Sequence, residues 1–299
     1  MAAKSTAAVF SLLMVLAAGL PAAAQVASVS YLEGTVSLRA GSAWRDLSIG
    51  DSIPADSTLR VALHAYVELS AGSLRITLSQ PGTYAVKSVL AAALSLRSAG
   101  AGRALTAMMS RMVSGSPSKQ STAGGVRAEQ MEAPAVEDET SEVSGFLREA
   151  KGFIASGRFD SAVERLEKAV AEADETEIAQ ARYCLAQAYS LKGDTRNALA
   201  QVAGVHPLDS DPWRPDFVLL KARVLVDASA FDQAVKWLLD NGQAMGEDDQ
   251  RSEAYVFLLG LAYGGAGDPA KEKQCLARVI SASADSELGQ AAAKLMAGL

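Results

Sequence analysis

The chain has 299 residues, which is enough for about two ordinary domains. Hydrophobic residues make up 49% and charged residues 21% of it, a globular balance that excludes an extensively disordered protein. The net charge of -6 argues against general nucleic-acid binding, which needs a basic surface, so no nucleic-acid partner is expected.

Charge is divided unevenly along the chain. Residues 25–127 hold 10 Lys and Arg against 5 Asp and Glu, giving +5, and residues 128–299 hold 17 against 29, giving -12. This asymmetry predicts two surfaces of different character, which could be ordinary solvated faces or partner-binding ones.

The first 24 residues have the pattern of a secretory signal peptide. Lys4 precedes an apolar run over residues 7–20, and the small residues Ala22, Ala23 and Ala24 follow it. A basic start, an apolar core and small residues before a cleavage site are typical of export. The run is short for a membrane-spanning helix, which needs about 20 residues. We therefore predict a periplasmic protein cleaved after Ala24, with an uncleaved anchor as the alternative.

Residues 25–86 show the short, turn-punctuated alternation of a small antiparallel β domain. Hairpin turns are predicted around Gly41 and Gly72, and further turns at Gly50-Asp51 and Pro81-Gly82. The predicted strand segments are 29–31, 35–38, 44–47, 65–69 and 74–78.

The order of residues in this region resembles the FecR-like domain, named for bacterial iron-citrate signalling regulators. The resemblance rests on Gly34-x-Val36, Trp44-x-x-Leu47-x-x-Gly50-Asp51-x-Ile53, Ala65-x-Val67-x-Leu69, Pro81-Gly82-x-Tyr84 and a later segment, Gly125-Val126-Arg127. It implies a periplasmic sensing or protein-contact role. The family usually continues with Gly-Thr and another strand, whereas here Ala128-Glu129-Gln130 follows, so the second half of the domain looks truncated. The regulators also carry a membrane span and a cytoplasmic segment, which this chain lacks, so transmembrane signalling is not implied.

Residues 87–113 are predicted to form basic amphipathic helices. Apolar residues keep helical spacing on both sides of Gly100-Ala101-Gly102. The wider segment 87–127 contains six Lys and Arg and no acidic residue. Such helices could lie on an anionic membrane, giving a peripheral membrane contact, or pack against the β domain or the helices that follow. Residues 114–142, rich in Ser, Gly, Ala and charge, are predicted to be a flexible linker.

From residue 143 onward a short motif recurs. It runs over residues 157–162, 193–198 and 229–234, and more loosely 267–270, so that the final alanines of the first three copies lie 36 residues apart. This period is close to the roughly 34 residues of tetratricopeptide repeats, which these segments resemble. The resemblance implies an all-α solenoid over residues 143–299, with about four helix pairs and a capping helix from Ser286 to Leu299.

The repeats place small residues where the two helices of a pair should meet. On the first helix these are Ala150, Ala186, Ala222 and Gly260, each followed three residues later by a large one, Phe153, Tyr189, Leu225 or Tyr263. On the second helix they are Ala162, Ala198 and Ala234, each followed by Leu166, Val202 or Leu238. The fourth copy departs from the pattern, with Glu272 where alanine is expected.

Stacked repeats of this kind form a continuous surface that can hold a peptide or protein. Positions facing that surface in the family fall on five residues of this chain, which are our candidate partner-binding residues: Lys151, Tyr183, Gln187, Arg223 and Phe257. The expected partner is a protein or peptide of the cell envelope.

No catalytic or cofactor-binding motif is present. His64 and His206 have no metal-ligand spacing, and Leu105 occupies the position where a dinucleotide motif beginning at Gly100 needs glycine. Cys184 and Cys275 lie in helical patterns and form no Cys-x-x-Cys pair, so we expect both to be buried and unpaired. We predict neither an enzyme nor a cofactor.

The sequence leaves three functions open. The first is a periplasmic scaffold whose repeats bind a partner. The second is a sensory adaptor whose β domain receives a ligand or partner that the repeats relay. The third is a structural envelope protein held against the membrane or a cell-wall polymer.

Overall fold

The computed structural model describes residues 27–114, 141–245 and 249–299. It confirms the predicted fold class, because an antiparallel β region comes first and a region of paired α-helices follows it. The predicted signal peptide, the Gly-Val-Arg segment and most of the predicted linker lie outside the described residues.

The β region contains two four-stranded antiparallel sheets. Their strands are β1 (Ala27–Glu33), β2 (Val36–Ala40), β3 (Ala43–Asp46), β4 (Ser52–Ile53), β5 (Thr58–Val61), β6 (Tyr66–Ala71), β7 (Leu74–Leu78) and β8 (Gly82–Ala85). The first sheet has the order β4-β1-β6-β7 and the second the order β3-β2-β5-β8. β7 and β8 are therefore edge strands.

The described helices are α1 (Val86–Ala99), α2 (Ala101–Ser114), α3 (Glu142–Ala155), α4 (Phe159–Glu172), α5 (Ile178–Lys192), α6 (Thr195–Ala203), α7 (Arg214–Asp227), α8 (Phe231–Asn241), α9 (Asp249–Gly265), α10 (Pro269–Ser283) and α11 (Glu287–Met296). A short 3-10 helix, Gly242–Met245, follows α8. The pairs are α3 with α4, α5 with α6, α7 with α8 and α9 with α10.

Both predicted hairpins are confirmed. β2 pairs with β3 across the turn at Gly41, and β6 pairs with β7 across the turn at Gly72. The φ angles of these glycines are 82° and 63°, which residues with a Cβ rarely adopt. The alternation predicts none of β4, β5 and β8. β8 starts at Gly82, directly after Pro81, although this pair of residues usually marks a turn. The proline is tolerated next to β8 because β8 is an edge strand.

The apolar faces of the two sheets form one core. Leu38, Leu59 and Leu69 are at most 1% exposed, and Val86 and Leu90 of α1 join the same cluster. α1 packs against β7 and β8 on one side and against α11 on the other. It therefore connects the β region to the far end of the helical region.

The same turn joins the two helices of every pair. Gly157, Gly193, Ser229 and Gly267 all have positive φ angles, between 55° and 84°. The residue after each donates its backbone N–H, at 2.8–2.9 Å, to the carbonyl five residues earlier, a hydrogen bond that typically ends a helix. The four acceptors are Phe153, Tyr189, Leu225 and Tyr263, so the predicted register of the repeats is confirmed.

Small residues fill the contact between the paired helices. All the alanines predicted there are at most 1% exposed: Ala150, Ala162, Ala186, Ala198, Ala222 and Ala234. In the fourth pair, a Cβ added to Gly260 would lie 3.1 Å from Cys275 Cβ. Glu272, which breaks the pattern, lies against Gly264, where an added Cβ would be 2.5 Å from Glu272 Oε1. A second glycine in α9 thus makes room for the carboxylate, and burial raises its pKa.

The β region packs against the turns of the second and third helix pairs. Arg196 at the start of α6 forms a salt bridge of 3.1 Å with Glu33 of β1. Ser79 donates both its backbone N–H, at 3.2 Å, and its hydroxyl, at 2.9 Å, to the carbonyl of Ala228. These contacts and α1 fix the β region to the side of the helical region. Within the described ranges, no helix has the length and apolar character needed to cross a membrane.

We predict that Ala198→Trp destabilises the protein by about 1–3 kcal/mol, because the contact between α5 and α6 has no space for a ring. Ala200 lies two residues away on α6 but is exposed, so Ala200→Trp is the matched control. Chemical denaturation of both variants measures the difference. Equal unfolding midpoints for the two variants would show that the register of the repeats is misplaced.

Candidate protein-binding groove

The first helices of the pairs form a curved row. α3, α5, α7 and α9 lie side by side, and α11 follows α9. α2 packs against both ends of this row, α3 and α11. Five helices spaced 8–10 Å apart would span about 32–40 Å if the row were flat, whereas the 14 residues of α2 give a length of about 21 Å. The row therefore curves around α2, and we call the surface that it turns toward α2 the groove.

One apolar face of α2 is buried in the groove. Its five buried residues are at most 5% exposed and belong to the same core cluster as the repeats: Ala101, Ala104, Leu105, Met108 and Met109. They recur at the spacing of one helix face, and alanine lets the helix approach closely. Gly102 and Arg103, near the start of α2, are exposed.

Arg223 of α7 is the polar anchor at the floor of the groove. Its side chain is buried, yet its guanidinium has three partners. Nη2 donates to Thr106 Oγ1 of α2 at 3.0 Å, Nη1 points to Met109 Sδ at 3.5 Å, and Nε donates to Asp227 Oδ2 at 3.2 Å. A buried charge without partners is costly, so α2 supplies hydrogen-bonding capacity that α7 alone does not provide.

The five candidate partner-binding residues separate into two groups. Lys151, Gln187 and Arg223 occupy equivalent positions 36 residues apart; Lys151 is exposed, Gln187 is 5% exposed and Arg223 is 7% exposed. Tyr183 and Phe257 lie one helical turn earlier in their helices and are 8% and 0% exposed. Direct contact with an external partner remains a prediction for all five residues. In this structure only Lys151 presents an open surface.

Tyr183 belongs to an aromatic cluster between α5 and α7. Its ring stacks on Trp213 with centroids 5.1 Å apart and meets Phe217 edge-on at 6.2 Å. Burial raises the pKa of its phenol well above the ordinary value. The adjacent Asp216 forms a salt bridge of 2.8 Å with Arg251 of α9. This cluster holds the second and third pairs together near the N-terminal ends of α5 and α7, away from the turns.

Sequence reasoning identified the helical pattern of residues 87–113 but not its target. Packing onto neighbouring protein was one of its two alternatives, and the structure shows that arrangement for both helices, α1 on the β region and α11, and α2 in the groove. The membrane alternative is untested, although the exposed basic side chains Lys87, Arg97 and Arg103 are the part of these helices that it could use. The contacts of Thr106 and Met109 with Arg223 join residues more than a hundred positions apart and have no local signal.

Within the described ranges, neither the metal-binding side chains nor the cysteines form a site. The described residues contain no group of three metal-binding side chains. Cys184 and Cys275 are free and buried, as expected, and burial raises the pKa of Cys184 to about 11, so its thiol is protonated at neutral pH. The chain matches no protein-family model and no curated protein.

We predict that Arg223→Ala and Thr106→Val are energetically coupled. A hydrogen bond to a charged group contributes about 1.5–3 kcal/mol. Both single changes remove the same bond, so the double variant should lose less unfolding free energy than the two single variants lose together. The difference should approach that range. Urea denaturation of the full double-mutant cycle measures it. Arg223→Ala combined with Gly102→Ala is the control and should be additive, because Gly102 is exposed and a Cβ added there meets no other atom within 4 Å. Additivity in both cycles would mean that α2 does not lie on α7.

Proposed function

We propose that this protein is a non-enzymatic scaffold of the bacterial envelope that binds a protein partner through the groove, and that the partner presents an amphipathic α-helix. The observation that carries the proposal is the position of α2, which fills the groove from α3 to α11. A surface that accommodates one amphipathic helix of this chain has the dimensions and chemistry to accept another. The predicted export signal and the resemblance to the FecR-like domain support the envelope location.

The chemistry of the groove defines the partner helix. It must carry an apolar stripe with small residues, because Ala101 and Ala104 of α2 lie where the helices approach closely. It must also offer Arg223 an acceptor near its centre, as Thr106 does. A carboxylate at that position binds a guanidinium more strongly than a hydroxyl does, which gives a partner an advantage over α2.

Occupancy by α2 makes binding competitive. α2 belongs to the same chain, so its effective concentration at the groove is high and a partner must displace it. Changes that weaken α2 should therefore promote partner binding, whereas changes that damage the groove should reduce it.

A labelled peptide of residues 99–114 serves as the probe partner, with binding to the mature chain followed by fluorescence anisotropy. We expect Leu105→Asp in the chain to increase binding, because it places a charge in the apolar face of α2 and opens the groove. Arg223→Ala should reduce binding to the Leu105→Asp chain. A peptide with Glu in place of Thr106 should bind more tightly than the natural one, and should lose that advantage in the Arg223→Ala chain.

Matched controls use exposed positions. Leu63 is 71% exposed, so Leu63→Asp repeats the change of Leu105 away from the groove. Arg278 is exposed on α10, so Arg278→Ala repeats the change of Arg223. Circular dichroism must show that every variant keeps the helices of the repeats, so that any loss in Leu105→Asp is no larger than α2 itself. Equal peptide binding by the Leu105→Asp and Leu63→Asp chains would refute the groove proposal.

The proposed location has its own test. We expect the mature protein to begin at Gln25 and to be released with the periplasmic contents, because Ala22, Ala23 and Ala24 form the predicted cleavage site. N-terminal sequencing of the protein from fractionated native cells measures this. Protein that starts at Met1 and stays in the cytosol contradicts the location but leaves the groove proposal standing.

A further inference from the structure

A cavity of about 1190 Å³ lies outside the groove, where the β region, the elbow between α1 and α2, and the turn ends of α7, α8 and α9 meet. The edge strands β7 and β8 border it. Gln80, after β7, donates to Asp232 Oδ2 of α8 at 2.8 Å, so the β region and the repeats are joined beside the cavity. Small-molecule sites occur preferentially at such junctions, in cavities of about 300–1,000 Å³.

Most of the cavity wall is apolar. α1 contributes one side and the repeats contribute the other, with wall residues Val89, Ala93 and Leu96 facing Val226, Phe231 and Leu261. The three residues from α1 are only half-buried, so they keep apolar surface in contact with solvent. An apolar ligand between the two sides would cover that surface, which favours binding.

Three arginines also line the cavity, Arg75 on β7, Arg97 on α1 and Arg103 on α2. Arg97 Nη1 donates to Ser73 Oγ at 2.5 Å, and none of the three makes an ion pair within the described part of the chain. Of the two lining carboxylates, Asp227 is paired with Arg223, whereas Asp232 accepts a hydrogen bond from the neutral amide of Gln80 and keeps its negative charge. The cavity therefore combines apolar walls with an excess of positive charge, which three different elements supply.

We propose that this cavity binds an amphipathic anion, an alkyl or acyl chain that ends in a carboxylate or phosphate. The alkyl chain of the ligand lies between α1 and the turn ends of the repeats, and its anionic group binds Arg97 and Arg103. Planar guanidinium groups suit both headgroups, because they donate paired hydrogen bonds to carboxylate and phosphate oxygens. Ala101 and Leu105 of α2 border both the groove and the cavity, but the anion binds with α2 in place, so this inference does not rest on the groove proposal.

Isothermal titration calorimetry of the mature chain with decanoate, decyl phosphate and neutral decanol, all below micelle-forming concentrations, tests the proposal. We expect both anions to bind at a single site and decanol to bind at least about tenfold more weakly. Arg97→Gln with Arg103→Gln should weaken the anions by about tenfold or more and leave decanol nearly unchanged. The double variant Arg148→Gln and Arg278→Gln, at exposed sites outside the cavity, should match the wild type.

A second variant tests the apolar part of the site independently. Ala92 is exposed and lines the cavity, so Ala92→Trp can fill the space without altering the core. It should weaken binding of all three probes, with an unchanged thermal midpoint as evidence of folding. The proposal is overturned if the anions do not bind, or if the cavity variants and the Arg148 and Arg278 control bind them equally.

Vesicles distinguish the source of the anion. If the natural ligand is a membrane lipid, the chain should extract phosphatidylglycerol from vesicles, and Ala92→Trp should abolish that extraction. If it is a free acid, decanoate should bind while vesicles of phosphatidylglycerol yield no lipid to the chain. The protein could instead sediment with anionic vesicles whether or not it carries Ala92→Trp, while the soluble anions do not bind. That result would show only electrostatic attraction of the protein to the vesicle surface, and it would refute the cavity site.

Discussion

The buried guanidinium of Arg223 is the constraint on which the arrangement of this protein depends. Asp227 on the same helix offers it one carboxylate, and Thr106 and Met109 of α2 complete its contacts. An arginine that is 7% exposed is costly without such partners. Because Arg223 needs these partners, the groove favours an occupying helix that can supply them. The burial of the apolar face of α2 stabilises the same contact further. Without α2, the guanidinium of Arg223 lacks two of its contacts, and without the groove, the apolar face of α2 would be exposed to solvent.

The repeats and the β region serve this contact in different ways. Four equivalent turns and alanine contacts keep the paired helices close and in register, so that their first helices form a curved row. The β region is fixed to the turns of the second and third pairs, and α1 runs from its sheets to α11. This placement brings α2 to the open side of the row. The connection across Gly100 therefore links three parts of the molecule: the sheets, the groove and the arginine-lined cavity.

The fold was largely predictable, because its signals are local or periodic. Turn glycines and repeated alanines fixed the register of the helix pairs, and alternation identified two hairpins. β8 was not predictable, since Pro81-Gly82 locally favours a turn and pairing with β5 overrides it. The groove could be predicted only as a surface. Its occupant could not, because the contacts of Arg223 with Thr106 span residues far apart in sequence. The resemblances to the FecR-like domain and to tetratricopeptide repeats remain predictions.

Hydrogen exchange of the backbone amides of α2 tests the central claim most directly. A 14-residue helix is marginal on its own in water, so protection of α2 must come from its packing in the groove. In the mature chain, we expect the amides of α2 to exchange much more slowly than those of an isolated peptide of the same sequence. Exchange of α2 at the rate of an isolated peptide of the same sequence, alongside a protected α7, would contradict the account.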